Sequence, residues 1–439
     1  MSKRASSIAT KPGKPTFRLT RRHSLDPDDQ RTPAQKDRDR LLYSGSLRRL
    51  AGVTQVASAN EVDMLHNRLT HTLKVAQVGR RIAELLIAKR PSLRSHINAD
   101  VVEAAALAHD LGHPPFGHIA EEQLDECLQK AGAGDGYEGN AQSFRIVTQL
   151  AYSKSKFVGL NLTRATLAAT IKYPWFREAD GHHNPKFGAY QSERDDFEFA
   201  RERHASSTEK TIEAQIMDLA DDITYSIHDM EDFYQLGMIP LDRLAKDPGE
   251  RAVFFENTKR RWGRRPELKQ FGEYEKAFND VADLMPLRGP STGNAAQRRA
   301  LKPFVSKMIK DYVMPIDVKE VDSPVKFKLD ISKRHLREIA MLKELTWHYV
   351  IQSASLATLQ FGQRKIIRDL FEIYADAVSD KKKRNIIPPW FALPDQLPTK
   401  DSEIARLAAD IVSTLTDRQA HVQYMRLKGI TPGSIRDWT

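Results

Sequence analysis

The stretch Ala99-Asp-Val-Val-Glu-Ala-Ala-Ala-Leu-Ala-His109-Asp-Leu-Gly-His113-Pro-Pro-Phe-Gly-His118-Ile-Ala-Glu121 decides how this chain is read. Its first half predicts a helix from about Ala99 to Leu111. Gly112 stands where a left-handed residue would end that helix, and Pro114-Pro115 cannot continue it. Its second half resumes as a helix near Gly117. Outward from this break the helical period dominates. Leu69, Leu73, Ala76, Arg80, Ala83 and Ile87 predict one face of a long helix after Arg68. Ile212, Ile216, Leu219, Ile223, Ile227 and Met230 predict another over about Glu209 to Leu236. A last helix carries Ile404, Leu407, Ala408, Ile411 and Leu415 on one face.

Only one stretch alternates apolar and polar residues, Val325-Lys-Phe-Lys-Leu-Asp-Ile331, with Ile316 and Val318 as its candidate partner strand. Residues 174–194 and 286–299 read as loops, the latter mobile. No internal repeat is found. The expected class is mainly α: a helical core with additional C-terminal helices and one small β-hairpin. The expected organisation is a flexible basic tail over 1–33, rich in Lys, Arg, Ser, Thr and Pro, a catalytic core over 34–240, and a helical C-terminal part over 241–439 that packs on the core and serves subunit contacts.

Length and composition bound the function without choosing it. The chain has 439 residues, 40% hydrophobic and 29% charged, an ordinary balance for a globular protein with ample core. Its formal net charge of +10 favours polyanionic ligands: nucleotide phosphates, nucleic acid or an anionic membrane face. Cys127 is the only cysteine, which excludes an intramolecular disulfide and a thiolate metal cluster. No apolar run approaches the roughly 18 residues of a membrane span, and Met1 to Arg22 lacks the apolar core of a secretory signal. The expected setting is cytoplasmic.

The chemistry gathers around the helix break. A lone His-Asp dipeptide is usually structural, but His109 to Glu121 holds three histidines and two carboxylates. Such groups are costly to bury unless paired, and they cluster at functional sites. His71 in the first turn of one helix, His109 and Asp110 at the end of the next, and Asp221 within Ala220-Asp221-Asp222 can converge on one ion from three helices. Two imidazoles and two carboxylates form a mixed nitrogen–oxygen set for one divalent metal. Manganese and magnesium come first, with iron, cobalt, nickel or zinc as alternatives. Asp221, Tyr225 and Asp229 fall at i, i+4 and i+8 on one helix face, readable as a solvated acidic face or as a ligand, an aromatic platform and a hydroxyl-binding carboxylate. Only Asp221 of the two adjacent aspartates shares that face.

These motifs together resemble the deoxyguanosine triphosphate triphosphohydrolase-like branch of the HD superfamily of metal-dependent phosphohydrolases. Arg68-Leu-Thr-His71, His109-Asp-Leu-Gly-His-Pro-Pro-Phe-Gly-His118, Glu138-Gly-Asn-Ala-Gln142, Ile171-Lys-Tyr173 and Ala220-Asp-Asp-Ile-Thr-Tyr225 occur in the family's order, after Arg48-Arg-Leu50 and Thr54-Gln-Val56. The resemblance is dense over about 35–235 and thins beyond. It implies His71, His109, Asp110 and Asp221 as metal ligands, with Asp222 a decoy. It implies hydrolysis of a deoxynucleoside triphosphate to deoxynucleoside and inorganic triphosphate. His118, oriented by Glu121, would serve as general acid or base. Arg68 and Lys172 would meet phosphate, with His113 and His66 as weaker candidates. Gln55 and Asp229 would hold the 3′-hydroxyl, and Tyr225 would pack on the deoxyribose and reject a 2′-hydroxyl. Asn140 and Gln142 would support the pocket or serve structure alone. The family is commonly oligomeric, often hexameric, so a homo-oligomer is expected. The end segment Ala409 to Arg418 departs from the family in carrying Thr414-Leu415 where Gly-Met is usual.

Two rivals remain at this level. Another HD hydrolase (a nucleotidase, cyclic-nucleotide phosphodiesterase or alarmone hydrolase) would share the four ligands but would not need the Pro-Pro-Phe-Gly-His run or the Tyr225/Asp229 face. A protein binding single-stranded nucleic acid with a regulatory HD site would use the basic runs Lys259-Arg-Arg-Trp-Gly-Arg-Arg-Pro266 and Lys381-Lys-Lys-Arg384.

Overall fold

A computed structural model describes residues 16–24, 30–55, 66–151, 157–179, 182–263, 271–286 and 294–431. The catalytic-side half of the chain contributes α1 (Pro33–Leu42), α2 (Gly45–Arg49), α3 (Arg68–Lys89), α4 (Ala99–Ala108), α5 (His118–Lys130), α6 (Gly139–Arg145), α7 (Arg164–Thr170), α8 (Arg194–Arg201) and α9 (Ile212–Gln235). There follow α10 (Leu241–Lys246), α11 (Pro248–Trp262), α12 (Phe271–Ala282), α13 (Ala295–Val313), α14 (Lys333–Thr346), α15 (Ala354–Ser379), α16 (Asp401–Ser413) and α17 (Asp417–Leu427). Sheet among the described residues is confined to two antiparallel pairs, β1 (Glu178–Ala179) with β2 (His182–His183), and β3 (Asp317–Glu320) with β4 (Phe327–Asp330). The mainly α class and the hairpin expected near 316–331 are both present.

The helices begin where side chains can satisfy their free N–H groups. Asn67, Asn98 and Thr211 cap α3, α4 and α9. Glu138 caps α6, and Thr32 with Gln35 closes a capping box on α1. At the centre lies α4, whose residues Val101, Val102 and Ala104 to Ala108 are all buried. It packs against α1, α3, α7 and α9. Small side chains let the backbones approach: a Cβ on Gly79 of α3 would lie 3.1 Å from Val102 and 3.5 Å from Ala220 of α9. The helices that carry His71, His109 and Asp221 are held together by that contact.

Two large apolar clusters, with a small one of Ala141, Phe187 and Tyr190, form the interior. One runs from Ala34 on α1 to Leu356 on α15 and contains α3, α4 and α9. The other joins α5 to α15, α16 and α17 through Leu124, Leu128, Ile367, Leu370, Ile411 and Leu415. The turn from His109 to Gly117 crosses between them. Apolar packing therefore continues past residue 240.

Several local readings are corrected. Gly112 does not adopt a left-handed conformation. It is needed because a Cβ there would sit 2.2 Å from the Gly139 carbonyl oxygen and 2.3 Å from the Ser143 nitrogen. The buried face of α3 is Thr72, Val75, Ala76, Val78, Gly79, Ile82, Ala83 and Leu86, and Leu73 is exposed. The hydrophobic spacing had selected a face rotated from the true one, because small residues carry much of the contact. Residues 16–24 of the expected tail are docked: Arg21 pairs with buried Asp37 and donates to the Asn161 and Pro33 carbonyls at 2.6 Å each. Residues 295–299 of the expected mobile loop lie in α13, while 287–293 fall outside the described residues. Residue 194 opens α8, and α17 follows the helix that had been read as the last.

Gly112→Ala forces α6 away from the turn that carries His109, Asp110 and His113. Overpacking of this kind costs about 1–3 kcal/mol, so urea unfolding of the full chain should show a lowered midpoint with an unchanged slope.

Candidate metal centre and active site

α3 presents His71 one turn in from its capped start, and α9 presents Asp221 opposite it, with His71 Nε2 3.0 Å from Asp221 Oδ1. The end of α4 supplies the third group. His109 is its C-cap residue, and its Nδ1 lies 2.6 Å from the Ala106 carbonyl, which makes Nδ1 the protonated nitrogen. Nε2 then carries a lone pair, buried and without a hydrogen-bond partner, 3.7 Å from Asp221 Oδ1 and 3.3 Å from Asp110 Oδ1. The ligand atoms of His71, His109 and Asp221 all lie within 4.8 Å of one another. His71, His109 and Asp110 are at most 5% exposed. An orphaned imidazole lone pair among two further nitrogen and oxygen donors and a second carboxylate fits a divalent metal. The first helix break thus puts two adjacent residues around one point, as a continuous helix could not.

Asp110 and Asp221 are ringed by imidazoles and by the cations Arg68 and Lys172. Burial would raise the Asp110 carboxyl, but His109, Arg68, His113 and His71 outweigh it and hold it far below the usual range. Arg68 donates to Asp110 Oδ2 at 2.8 Å. Asp221 is likewise held low against burial by Lys172, by its hydrogen bond to His71 and by His109. Lys172 reaches Asp221 at 3.0 Å and Asp218 at 2.7 Å, and this acidic surround raises its ammonium despite burial. Asp222 turns away to pair with Lys343.

A second group lies beyond the turn. Phe116 and Gly117 both take positive φ, 68° and 66°, and deliver His118 as the first residue of α5. His118 Nδ1 is 2.5 Å from Glu121 Oε2, and its ring is largely exposed whereas Glu121 is buried. Burial would raise Glu121, but the charge and hydrogen bond of His118, then His113 and Lys186, keep it well below the ordinary carboxylate value. His113 bridges the two groups, its Nδ1 3.3 Å from Asp110 and its Nε2 3.9 Å from Glu121. Burial first, then Arg68, lowers the His113 imidazole to about 3, so it is neutral.

On α9, Tyr225 and Asp229 follow Asp221 along one face, and burial followed by the Asp229 and Asp221 charges pushes the Tyr225 hydroxyl well above its usual value. Asp229 is 4% exposed, with Oδ2 unpartnered, and burial followed by Asp232 raises it well above the usual range. Gln55 Oε1 is also buried and unpartnered, and the Gln55 carbonyl accepts from Arg68 at 3.4 Å. His66 is engaged elsewhere, at 2.6 Å from Asp232 and against Lys74. Gln142 binds Asp410 of α16 at 2.8 Å, and Asn140 binds Glu138 at 2.7 Å, so both hold the fold together.

The basic runs are engaged by structure only in part. Arg261 and Trp262 both donate to buried Glu344, Arg260 pairs with Glu256, and Lys383 pairs with Asp376. Residues 264–266 of the first run lie outside the described residues.

Comparison with known proteins gives the family. The HD domain model matches residues 68–226, which span His71, His109, Asp110, His118, Glu121, Lys172, Asp221 and Tyr225 but not Gln55, His66 or Asp229, and the phosphohydrolase-associated domain model matches 329–426. A deoxyguanosinetriphosphate triphosphohydrolase-like protein of Streptomyces coelicolor is 35% identical over 440 residues, 93% of this chain and 96% of that protein. The chain belongs to the deoxyguanosinetriphosphate triphosphohydrolase-like family of HD-domain proteins. Further relatives of the same name occur in Bifidobacterium longum, 34% identical over 89% of this chain and 82% of that protein, and in Vibrio vulnificus, 30% identical over 92% and 94%. Membership makes this chain an HD-domain phosphohydrolase by family. No described helix is long and apolar enough to cross a membrane.

For this family member, several groups at the site escaped sequence reading. Asp218 anchors Lys172 and Lys210, and Lys186 lies 3.1 Å from Glu138 and 3.7 Å from Glu121. Asp218 was detectable one turn before Asp221, on the same helix face. Lys186, in a loop with no periodicity, gave no signal.

His228 supplies a pH prediction. Burial, then Lys74 and His66, lowers it from 6.5 to about 3. The unfolded chain therefore binds the proton first as pH falls. Stability from neutral His228 is full above about pH 6.5 and is lost between 6.5 and 3, by at most ~1.4 kcal/mol per pH unit. Urea midpoints of His228→Leu measured from pH 7.5 to 5 should fall less steeply than those of the parent chain.

Proposed function

We propose that this phosphohydrolase removes intact triphosphate from deoxynucleoside triphosphates. The carrying observation is one continuous site in which the His71/His109/Asp110/Asp221 cluster meets the His118–Glu121 pair on one side and the Tyr225/Asp229 face on the other. Many HD enzymes could use the first part; the other two suit a substrate with a reactive α-phosphate and a deoxyribose.

A divalent ion held by His71, His109, Asp110 and Asp221, manganese or magnesium in our reading, supplies Lewis acidity and a more acidic bound water. Arg68 and Lys172 neutralise phosphate charge at the reacting end. Water oxygen bonds to the α-phosphorus, the bond from phosphorus to the 5′ oxygen breaks, and that oxygen leaves with a proton as the deoxynucleoside hydroxyl. His118, with Nδ1 engaged by Glu121, has Nε2 available to give or take the proton. Asp229, its carboxyl raised by burial, and Gln55 hold the 3′-hydroxyl, and the Tyr225 ring closes the space where a 2′-hydroxyl would lie. A close wall of this kind discriminates more strongly than a merely apolar pocket.

Incubation with each dNTP and each NTP plus Mn²⁺ or Mg²⁺, followed by product identification, tests the proposal. Inorganic triphosphate and a deoxynucleoside are expected, and release of diphosphate or of monophosphate alone contradicts it. Asp110→Ala and Asp221→Ala should each lose activity by roughly a hundredfold or more. Tyr225→Ala should narrow the preference for dNTP over NTP.

A further inference from the structure

The phosphohydrolase-associated region reaches into the site through a single buried carboxylate. Asp417, the first residue of α17, is 6% exposed and lies far in sequence from the metal-ligand candidates and from Gln55 and His118. Its Oδ2 accepts from the Thr54 nitrogen at 3.0 Å and from the Thr54 hydroxyl, and its Oδ1 accepts from the Phe116 nitrogen at 2.8 Å. One side chain therefore ties two loops together. The first carries Gln55, next to Thr54. The second carries His118, two residues past Phe116.

The same two loops converge on Arg68. Its Nε donates to the Thr54 carbonyl at 3.3 Å, and a Cβ on Gly117 would stand 3.4 Å from its Nη2. Arg49 closes the arrangement from the other side, donating to the Leu415 carbonyl at 3.0 Å and to the Leu111 and His113 carbonyls at 2.8 Å each. Gly52 leaves only enough room for Thr416, since a Cβ there would meet the Thr416 side chain at 2.8 Å. Phe116 is a bulky residue at φ 68°, a strained conformation that persists only when its surroundings impose it. The bond from its N–H to Asp417 is part of that imposition.

We propose that Asp417 is a positioning residue: it fixes the Gln55 loop and the His118 turn relative to each other, and so couples the α16–α17 unit to substrate handling without touching the metal cluster. The inference rests on the substrate reading above for its kinetic consequence, but not for its structural one. Asn at 417 is the same size yet cannot accept from three donors, because one of its atoms is itself a donor.

The test uses the full chain with three readouts: hydrogen exchange of the peptides covering 50–55 and 113–121, Mn²⁺ affinity, and kcat and KM for a hydrolysed dNTP. Asp417→Asn should speed exchange in those two peptides and leave the rest of the chain protected. It should hold Mn²⁺ affinity within about twofold, lower kcat by about ten- to a hundredfold and raise KM. Thr54→Val, which removes only the hydroxyl bond, should give a smaller shift of the same kind, and Thr54→Ser should restore parental values. Unchanged exchange at both peptides overturns the proposal. So does faster exchange with parental kcat and KM, or loss of Mn²⁺ binding with exchange raised throughout, in either Asp417→Asn or Thr54→Val. If the parent chain hydrolyses no dNTP, the substrate reading fails alone, and exchange with Mn²⁺ affinity still decides the staple.

Discussion

Two carboxylates, the buried Asp110 and the half-buried Asp221, impose their charge on everything around them. An ionised carboxylate taken out of water costs several kcal/mol unless cations or hydrogen-bond donors replace its hydration. Here Arg68 and Lys172 sit on one oxygen of each, and His71 and His109 face the other. Those four partners come from α3, the end of α4 and the segment after α7. The helices must therefore meet at one point before any of these charges is tolerable. The small residues Gly79, Ala104 to Ala106 and Ala220 make that meeting geometrically possible.

The turn at Gly112 then links two bodies of apolar packing. On one side α3, α4 and α9 hold the metal-ligand candidates; on the other α5, α15, α16 and α17 hold His118 and Glu121. Neither body alone contains a complete site. Arg49, Ser143 and Asp417 bridge the seam with hydrogen bonds to backbone groups, which fixes the loops more firmly than side-chain contacts would. The C-terminal helices thus belong to the site's support, although none of their residues lies among the candidate ligands.

What the chain discloses unaided follows from local physics. The helix break after Asp110 is written in Gly112 and the two prolines, and the α9 face is written in the spacing of Asp221, Tyr225 and Asp229. Both are short-range patterns, and both recur in the structure. Readings that depended on distant partners fared worse. Gly112 was assigned a left-handed conformation when its real constraint is Gly139, 27 residues on, pressing against it. The stripe on α3 was rotated because its buried face includes Thr72, Gly79 and His71, which hydrophobic counting ignores. Arg21 read as part of a free basic tail, since nothing nearby announces Asp37 as its buried partner. Asp417, joined to Thr54 across more than 360 positions, is invisible to any periodicity.

Among the described residues, three groups of acidic residues and histidines have the spacing to hold an ion: His71/His109/Asp221, His113/His118/Glu121 and Asp218/Asp221/Asp222. The second is tied up by the short His118–Glu121 bond, and the third is already neutralised by Lys172, Lys210 and Lys343. Anomalous diffraction from a crystal of the full chain soaked in Mn²⁺ distinguishes them directly. A single peak bonded to His71, His109, Asp110 and Asp221 is the predicted result. A peak at either of the other two groups, with that position empty, would contradict the account.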